Sequence, residues 1–113
     1  MMSEHVLYIC GPYPGNRNFK DDDVLSTARQ ITRIADEMGW VPICPSISSA
    51  EEPWRFGRTI IYRLRPEVDA VLCLRGWNMD TACVHERQSA VIRGVPVYES
   101  TPKCVVPTIE VRG

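Results

Sequence analysis

The run Val68-Asp69-Ala70-Val71-Leu72-Cys73-Leu74 has one polar side chain near its start and no alternation after it. A strand with one wet face alternates apolar and polar residues. An unbroken run of this length instead marks a strand covered on both faces, as in a parallel sheet with helices packed against it. Gly76-Trp77-Asn78-Met79 then breaks the run, and Asp80 has the side chain of a helix N-cap. The helix it opens is expected to reach Arg93, with Ala82, Cys83, Glu86, Ala90 and Val91 grouped near one face and Gly94 closing it. In an open α/β sheet, the C-terminal ends of strands and the N-termini of helices converge on a ligand crevice. The stretch from Gly76 to Glu86 places two carboxylates there.

The rest of the chain repeats the alternation. His5-Val6-Leu7-Tyr8-Ile9-Cys10 reads as a first strand, stopped by Gly11-Pro12-Tyr13-Pro14-Gly15-Asn16. From Lys20 to Met38, Val24, Ala28, Ile31, Ala35 and Met38 recur at helical spacing, and Leu25 and Ile34 widen the stripe. Asp21-Asp22-Asp23 suits the positive end of that helix, and Gly39 suits its left-handed C-cap. Trp40-Val41-Pro42-Ile43-Cys44 is expected as a second strand, pushed to the sheet edge because Pro42 has no N–H to donate. Pro45 to Pro53 reads as a polar loop, Trp54 to Arg65 as a helix with Ile60, Ile61 and Leu64 inward, and Val95-Pro96-Val97-Tyr98 as a fourth strand. Thr108 to Val111 is a candidate fifth strand. Strands alternating with helices imply a parallel sheet with right-handed crossovers.

Composition narrows the function classes. A chain of 113 residues, 44% apolar and 24% charged, is read as one globular domain, 1–113, with a modest core. Its mixed charges sum to −1, which gives no field to gather a polyanion and argues against a nucleic-acid partner and for a small molecule. Met1-Met2-Ser3-Glu4-His5 lacks a signal peptide's basic start, and no apolar stretch approaches the ~20 residues that span a bilayer. Five cysteines, Cys10, Cys44, Cys73, Cys83 and Cys104, are odd in number and lie mostly in apolar runs. They read as reduced core thiols of a cytosolic protein.

Among residues able to carry chemistry, Glu86 falls on or beside the buried face of its helix, where a carboxyl without a cation would have its pKa raised by desolvation. Periodicity equally allows it at the edge of the stripe, solvated or paired with Arg87 or Arg93. N-capping alone accounts for Asp80, and a strand-start bond to nearby backbone accounts for Asp69. Tyr8 lies near the C-terminal end of the first strand, where its phenol would either reach a carboxylate in the crevice or pack as core. Gly11 and Pro12 open a strand-to-helix turn whose backbone can approach a ligand, and Arg17 offers a fork for a phosphate. The turn has neither the Walker ending nor Gly-x-Gly-x-x-Gly. Cys83 and His85 stand two apart on a helix and point to different sides, so no metal is expected.

Taken together, Tyr8-Ile9-Cys10-Gly11-Pro12, Asp69-Ala70-Val71-Leu72, Asp80-Thr81-Ala82-Cys83-Val84-His85-Glu86, Ala90 and Gly94-Val95-Pro96-Val97 resemble the nucleoside 2-deoxyribosyltransferase superfamily. That superfamily includes the nucleoside 5'-monophosphate N-glycosidases, and the likeness is greatest to its short phage and bacterial branch, over roughly residues 5 to 98. The resemblance implies a flavodoxin-like three-layer α/β sandwich with a mostly parallel sheet of four to five strands. It implies a retaining attack at the anomeric carbon of a nucleoside or nucleotide, without a cofactor, in a homodimer or larger homo-oligomer. Glu86 matches the family nucleophile and Tyr8 the tyrosine that orients it. Asp80 matches the position where transferases place an acid that contacts the base and monophosphate hydrolases a serine that holds phosphate, so an aspartate here favours nucleosides while Arg17 favours nucleotides. Two positions depart from the pattern: Ile61 stands where the studied enzymes carry an acid that helps bind and protonate substrate, and Ala82 replaces a glycine. The expected activity is therefore that of an N-glycosidase or deoxyribosyltransferase. The competing expectations are a nucleotide-binding protein that has lost catalysis and a purely structural module.

Overall fold

The structure is a computed structural model that describes residues 5–13, 15–45, 47, 68–99 and 106–109. Its first strand, β1 (Val6–Cys10), is buried at every position, because it lies inside the sheet with packing on both faces. The helix α1 (Asp21–Glu37) follows, then β2 (Val41–Ile43), β3 (Ala70–Cys73), a 3-10 turn (Trp77–Met79), the helix α2 (Thr81–Ile92) and β4 (Val97–Glu99). The four strands pair in the order β2-β1-β3-β4, all parallel, a small flavodoxin-like α/β fold. Pro42 sits in an edge strand, where its missing N–H costs no ladder bond to a second neighbour.

Successive residues of β1 point to opposite faces, and the core divides accordingly. Leu7 and Ile9 pack with Ala28, Ile31 and Ala35 of α1 and with Leu72 of β3. Val6, Tyr8 and Cys10 pack with Val71 and Cys73 of β3 and with Cys83 and Ala90 of α2. The chain steps from β1 to β2 in one direction and from β1 to β3 in the other, so the strand order reverses between β1 and β3. This is where a sheet of this kind leaves its crevice open, beyond Cys10 and Cys73.

The α1 stripe is buried at Val24, Ala28, Ile31 and Ala35 as its spacing requires, but Met38 becomes the C-cap and is half exposed. Gly39 follows at φ +95°, the left-handed geometry that lets the helix stop without steric cost. β3 is shorter than the apolar run that predicts it. The Asp69 carboxyl accepts the first N–H of β1 from Val6 at 2.7 Å, which closes the end of the sheet away from the crevice. β4 begins later than the sequence suggests because the Val95 N–H still serves the Ala90 carbonyl at 2.9 Å. Val91, grouped by periodicity with the buried face of α2, is 55% exposed; the face that meets the sheet is Ala82, Cys83, Glu86 and Ala90.

Two expectations fail after β2. Pro45 and Ile47, expected in a polar loop from Pro45 to Pro53, have helical backbone, and Ile47 N–H donates to the Cys44 carbonyl at 3.2 Å, while the rest of that stretch lies outside the described residues. Of the candidate fifth strand, Glu110 and Val111 lie outside the described residues, while Thr108 and Ile109 form no strand. Their segment docks on the α1 side instead: Val106 is buried in that core and the Pro107 carbonyl accepts from the Trp40 indole at 2.8 Å. The expected helix from Trp54 to Arg65, with Ile60, Ile61 and Leu64, lies outside the described residues, as does Cys104. No helix among the described residues is long and apolar enough to cross a membrane.

Candidate functional site

Three segments meet beyond the C-terminal ends of β1 and β3: the loop after β1, the turn after β3 and the first turns of α2. Leu74 N–H donates to the Cys10 carbonyl at 2.8 Å, which continues the ladder one step past the strands. Gly76 then turns the chain at φ +90°, with the Phe19 ring and Pro12 occupying the space a side chain would need. Trp77 packs against the α2-side core and lies under the Arg87 guanidinium, which is 4.8 Å from the ring centre and pairs with Glu99 at 3.1 Å.

Glu86 is completely buried, 0% exposed, on the face of α2 that meets β1. The solvated alternative is therefore excluded, and Arg87, next in sequence, pairs with Glu99 instead. The Tyr13 hydroxyl donates to Glu86 Oε1 at 2.6 Å, while Oε2 has no hydrogen-bond partner. Burial pushes the Glu86 carboxyl up to about 7. Hydrogen bonding from Tyr13 and then Tyr8 pulls it back toward ionisation, and the nearby Asp80 charge pushes it further up. Burial raises both phenols well above the ordinary tyrosine range, so each remains a donor. The buried Tyr8 thus stands at the carboxyl, as its position near the end of β1 allowed.

Asp80 caps α2, accepting from Ala82 N–H at 3.0 Å and Cys83 N–H at 3.3 Å through Oδ1. Its Oδ2 accepts from Tyr13 N–H at 2.9 Å and from the Asn16 side-chain amide at 3.0 Å. Gly11 and Pro12 are both buried; the Gly11 carbonyl accepts the Cys83 thiol at 2.7 Å, and an added Cβ would meet Leu74 at 3.0 Å. Arg17 is exposed and makes no hydrogen bond or ion pair to Asp80 or Glu86. Tyr8, Asp80 and Glu86 are therefore gathered with Gly11 and Pro12, whereas Arg17 stays outside the cluster.

Beneath the carboxyl lie three buried thiols. The Cys10 and Cys73 sulfurs face each other across β1 and β3 at 3.3 Å, and Cys83 sits beside them. The bond to Cys10, together with burial, pushes the Cys73 thiol far up, so the pair is inert as nucleophiles. Cys10, Cys73 and Cys83 are free thiols, and Cys44 is buried as they are. No group of three or more His, Cys, Asp or Glu side chains suited to a metal occurs among the described residues.

Sequence reasoning missed Tyr13 and Asn16. Their signal was positional, since both follow the glycine that ends β1 and so stand in the loop bordering the crevice. Chemically, the site offers a desolvated carboxyl poised near neutrality, two phenolic donors and one unpartnered carboxyl oxygen. That set can attack or protonate a small molecule, and among the described residues no cation acts on Glu86. No protein-family model, curated protein or solved structure matches the chain.

Proposed function

We propose that the chain is an N-glycosidase or deoxyribosyltransferase that cleaves the N-glycosidic bond of a nucleoside or related nucleotide, with Glu86 as nucleophile. The observation that carries this reading is Glu86 itself: wholly buried at the strand-order reversal, held through one oxygen by Tyr13, with the other oxygen unpartnered. Burying an acid without a cation costs stability, and such placements concentrate where the acid does chemistry. In the retaining scheme the ionised carboxylate attacks the anomeric carbon as the C–N bond breaks, and the departing base leaves with the bonding pair and takes up a proton from water, which hydrolysis of the ester later returns. Water or a second base then resolves the glycosyl ester. Tyr8 and Tyr13 hold the carboxylate in position, and assembly into a homodimer or larger homo-oligomer in the cytosol belongs to the same reading.

The second reading, a nucleotide-binding protein without turnover, is favoured by Ile61 at the position of the family's second acid. A chromatographic assay for free nucleobase separates the two, using wild type and Glu86→Gln with nucleosides, deoxynucleosides, their monophosphates and NAD. Release by wild type alone is the expected result. Equal release by both proteins removes Glu86 from the mechanism, and tight binding by calorimetry without release supports the second reading.

A further inference from the structure

The structure assigns Asp80 a role beyond capping: it is a positioning residue that sets the Tyr13–Glu86 contact, and it does not meet the substrate itself. A carboxylate has about four acceptor positions, and here four N–H donors fill them: Ala82 and Cys83 from α2, Tyr13 and Asn16 from the loop after β1. Capping requires only the first two. Asn and Ser cap helices about as well as Asp, so capping does not explain why an aspartate stands there. The second oxygen does, because only a carboxylate offers an acceptor to the loop while it caps the helix.

The geometry makes Tyr13 a brace between two points of one rigid element. Asp80 and Glu86 are six positions apart on α2, about 9 Å along its axis at 1.5 Å per residue. Tyr13 spans that distance, its backbone nitrogen 2.9 Å from Asp80 and its hydroxyl 2.6 Å from Glu86. Asn16 adds a second strut, from its amide to Asp80 and to the Met79 carbonyl at 3.3 Å. Fixing the Tyr13 backbone on Asp80 therefore fixes where its phenol falls. An asparagine at position 80 would keep the cap through its carbonyl but turn an NH2 toward two N–H donors, releasing the loop alone.

The groups facing Glu86 are Tyr8 and Cys10 from β1, Tyr13 from the loop, and Asp80 and Cys83 from α2. The test is a double-mutant cycle over Asp80→Asn and Tyr13→Phe, read as the midpoint of the Glu86 side-chain carboxyl in a carbon-13 NMR titration assigned with Glu86→Gln. The direct effect of the Asp80 charge on Glu86 is present in both backgrounds and drops out of the cycle. If Asp80 acts through the Tyr13 phenol, the midpoint shift caused by Asp80→Asn differs between the wild-type and Tyr13→Phe backgrounds by at least about 0.5 pH unit, the low end of couplings between contacting residues. Shifts that add within about 0.2 pH unit overturn the assignment. Asp80→Ser, which also keeps a capping oxygen and loses the loop acceptor, is run beside it and must show the same coupling, so the test survives if Asp80→Asn does not fold. The assignment rests on the reading of Glu86 as the reacting group only for its effect on rate. Absence of base release leaves the coupling standing, and additive titrations refute the coupling whatever the protein turns over.

Discussion

Glu86→Gln separates a buried, costly carboxyl from a harmless one, through the pH dependence of stability. The group ionises at 4.5 when unperturbed and at about 7 in the fold, and it is 0% exposed, so solvent screening does not discount the difference. About 2.5 pH units at about 1.4 kcal/mol each amount to about 3 kcal/mol. The sign follows from proton binding. Below pH 4.5 both states hold the proton and the group contributes nothing; between 4.5 and about 7 only the folded state holds it, so stability falls as pH rises; above 7 the full cost of the buried charge is present. Glutamine is neutral throughout and can still accept from Tyr13 through Oε1, while its amide nitrogen replaces the unpartnered Oε2. That unpaired donor adds an offset of about 1–2 kcal/mol that does not vary with pH. The stability of Glu86→Gln minus that of wild type should therefore rise by about 3 kcal/mol between pH 4 and pH 8, whatever its starting value. Urea unfolding followed by tryptophan fluorescence at half-unit pH steps measures it, and groups that titrate alike in both proteins cancel in the difference. A difference flat to within about 0.5 kcal/mol, or one that falls with pH, would refute the buried-carboxyl argument and return Glu86 to the solvated edge of its helix.

If Glu86 is the nucleophile it must be ionised, so kcat/KM should rise with pH along a limb centred near 7, and a limb falling through that range would make it a proton donor instead. Gly76→Ala should cost about 2–4 kcal/mol, because φ is +90° and the new Cβ meets the Phe19 ring, with Cε1 at 2.7 Å. Gly15→Ala, at the same φ with nothing within 4 Å, isolates the backbone cost and should lose only about 1 kcal/mol in the same urea assay; equal losses at the two sites would deny that Phe19 packing sets the Gly76 turn.

The features legible in the sequence were those written as periodicity or as backbone chemistry. Val24, Ala28, Ile31 and Ala35 face the core because helical spacing leaves them no other arrangement, and Pro42 marks an edge because it has no donor. Element ends were less legible. Val95 reads as a strand residue by type, but the preceding helix claims its N–H, so β4 starts at Val97. Thr108 and Ile109 have strand propensity, yet the segment answers to long-range contacts, the Trp40 bond to the Pro107 carbonyl and the burial of Val106, that no local pattern encodes.

The site shows the same division. Glu86 was visible as a candidate because its register on α2 is fixed by Ala82, Cys83 and Ala90, but register alone does not distinguish a residue at the edge of a stripe from one at its centre. What decides the matter is the width of the contact with β1, which depends on the small side chains on both elements: Cys10 and Cys83 leave room for α2 to approach closely enough to seal the carboxyl against Tyr8. Tyr13 was invisible for the opposite reason. Its loop has no period, and its position is set by Asp80, a residue 67 places away in the chain. A carboxyl sealed by packing and a phenol aimed by a distant cap are both tertiary facts. They also depend on each other, since the Tyr13 bond favours the ionised Glu86 that burial opposes. The balance between those two effects holds the group near neutrality.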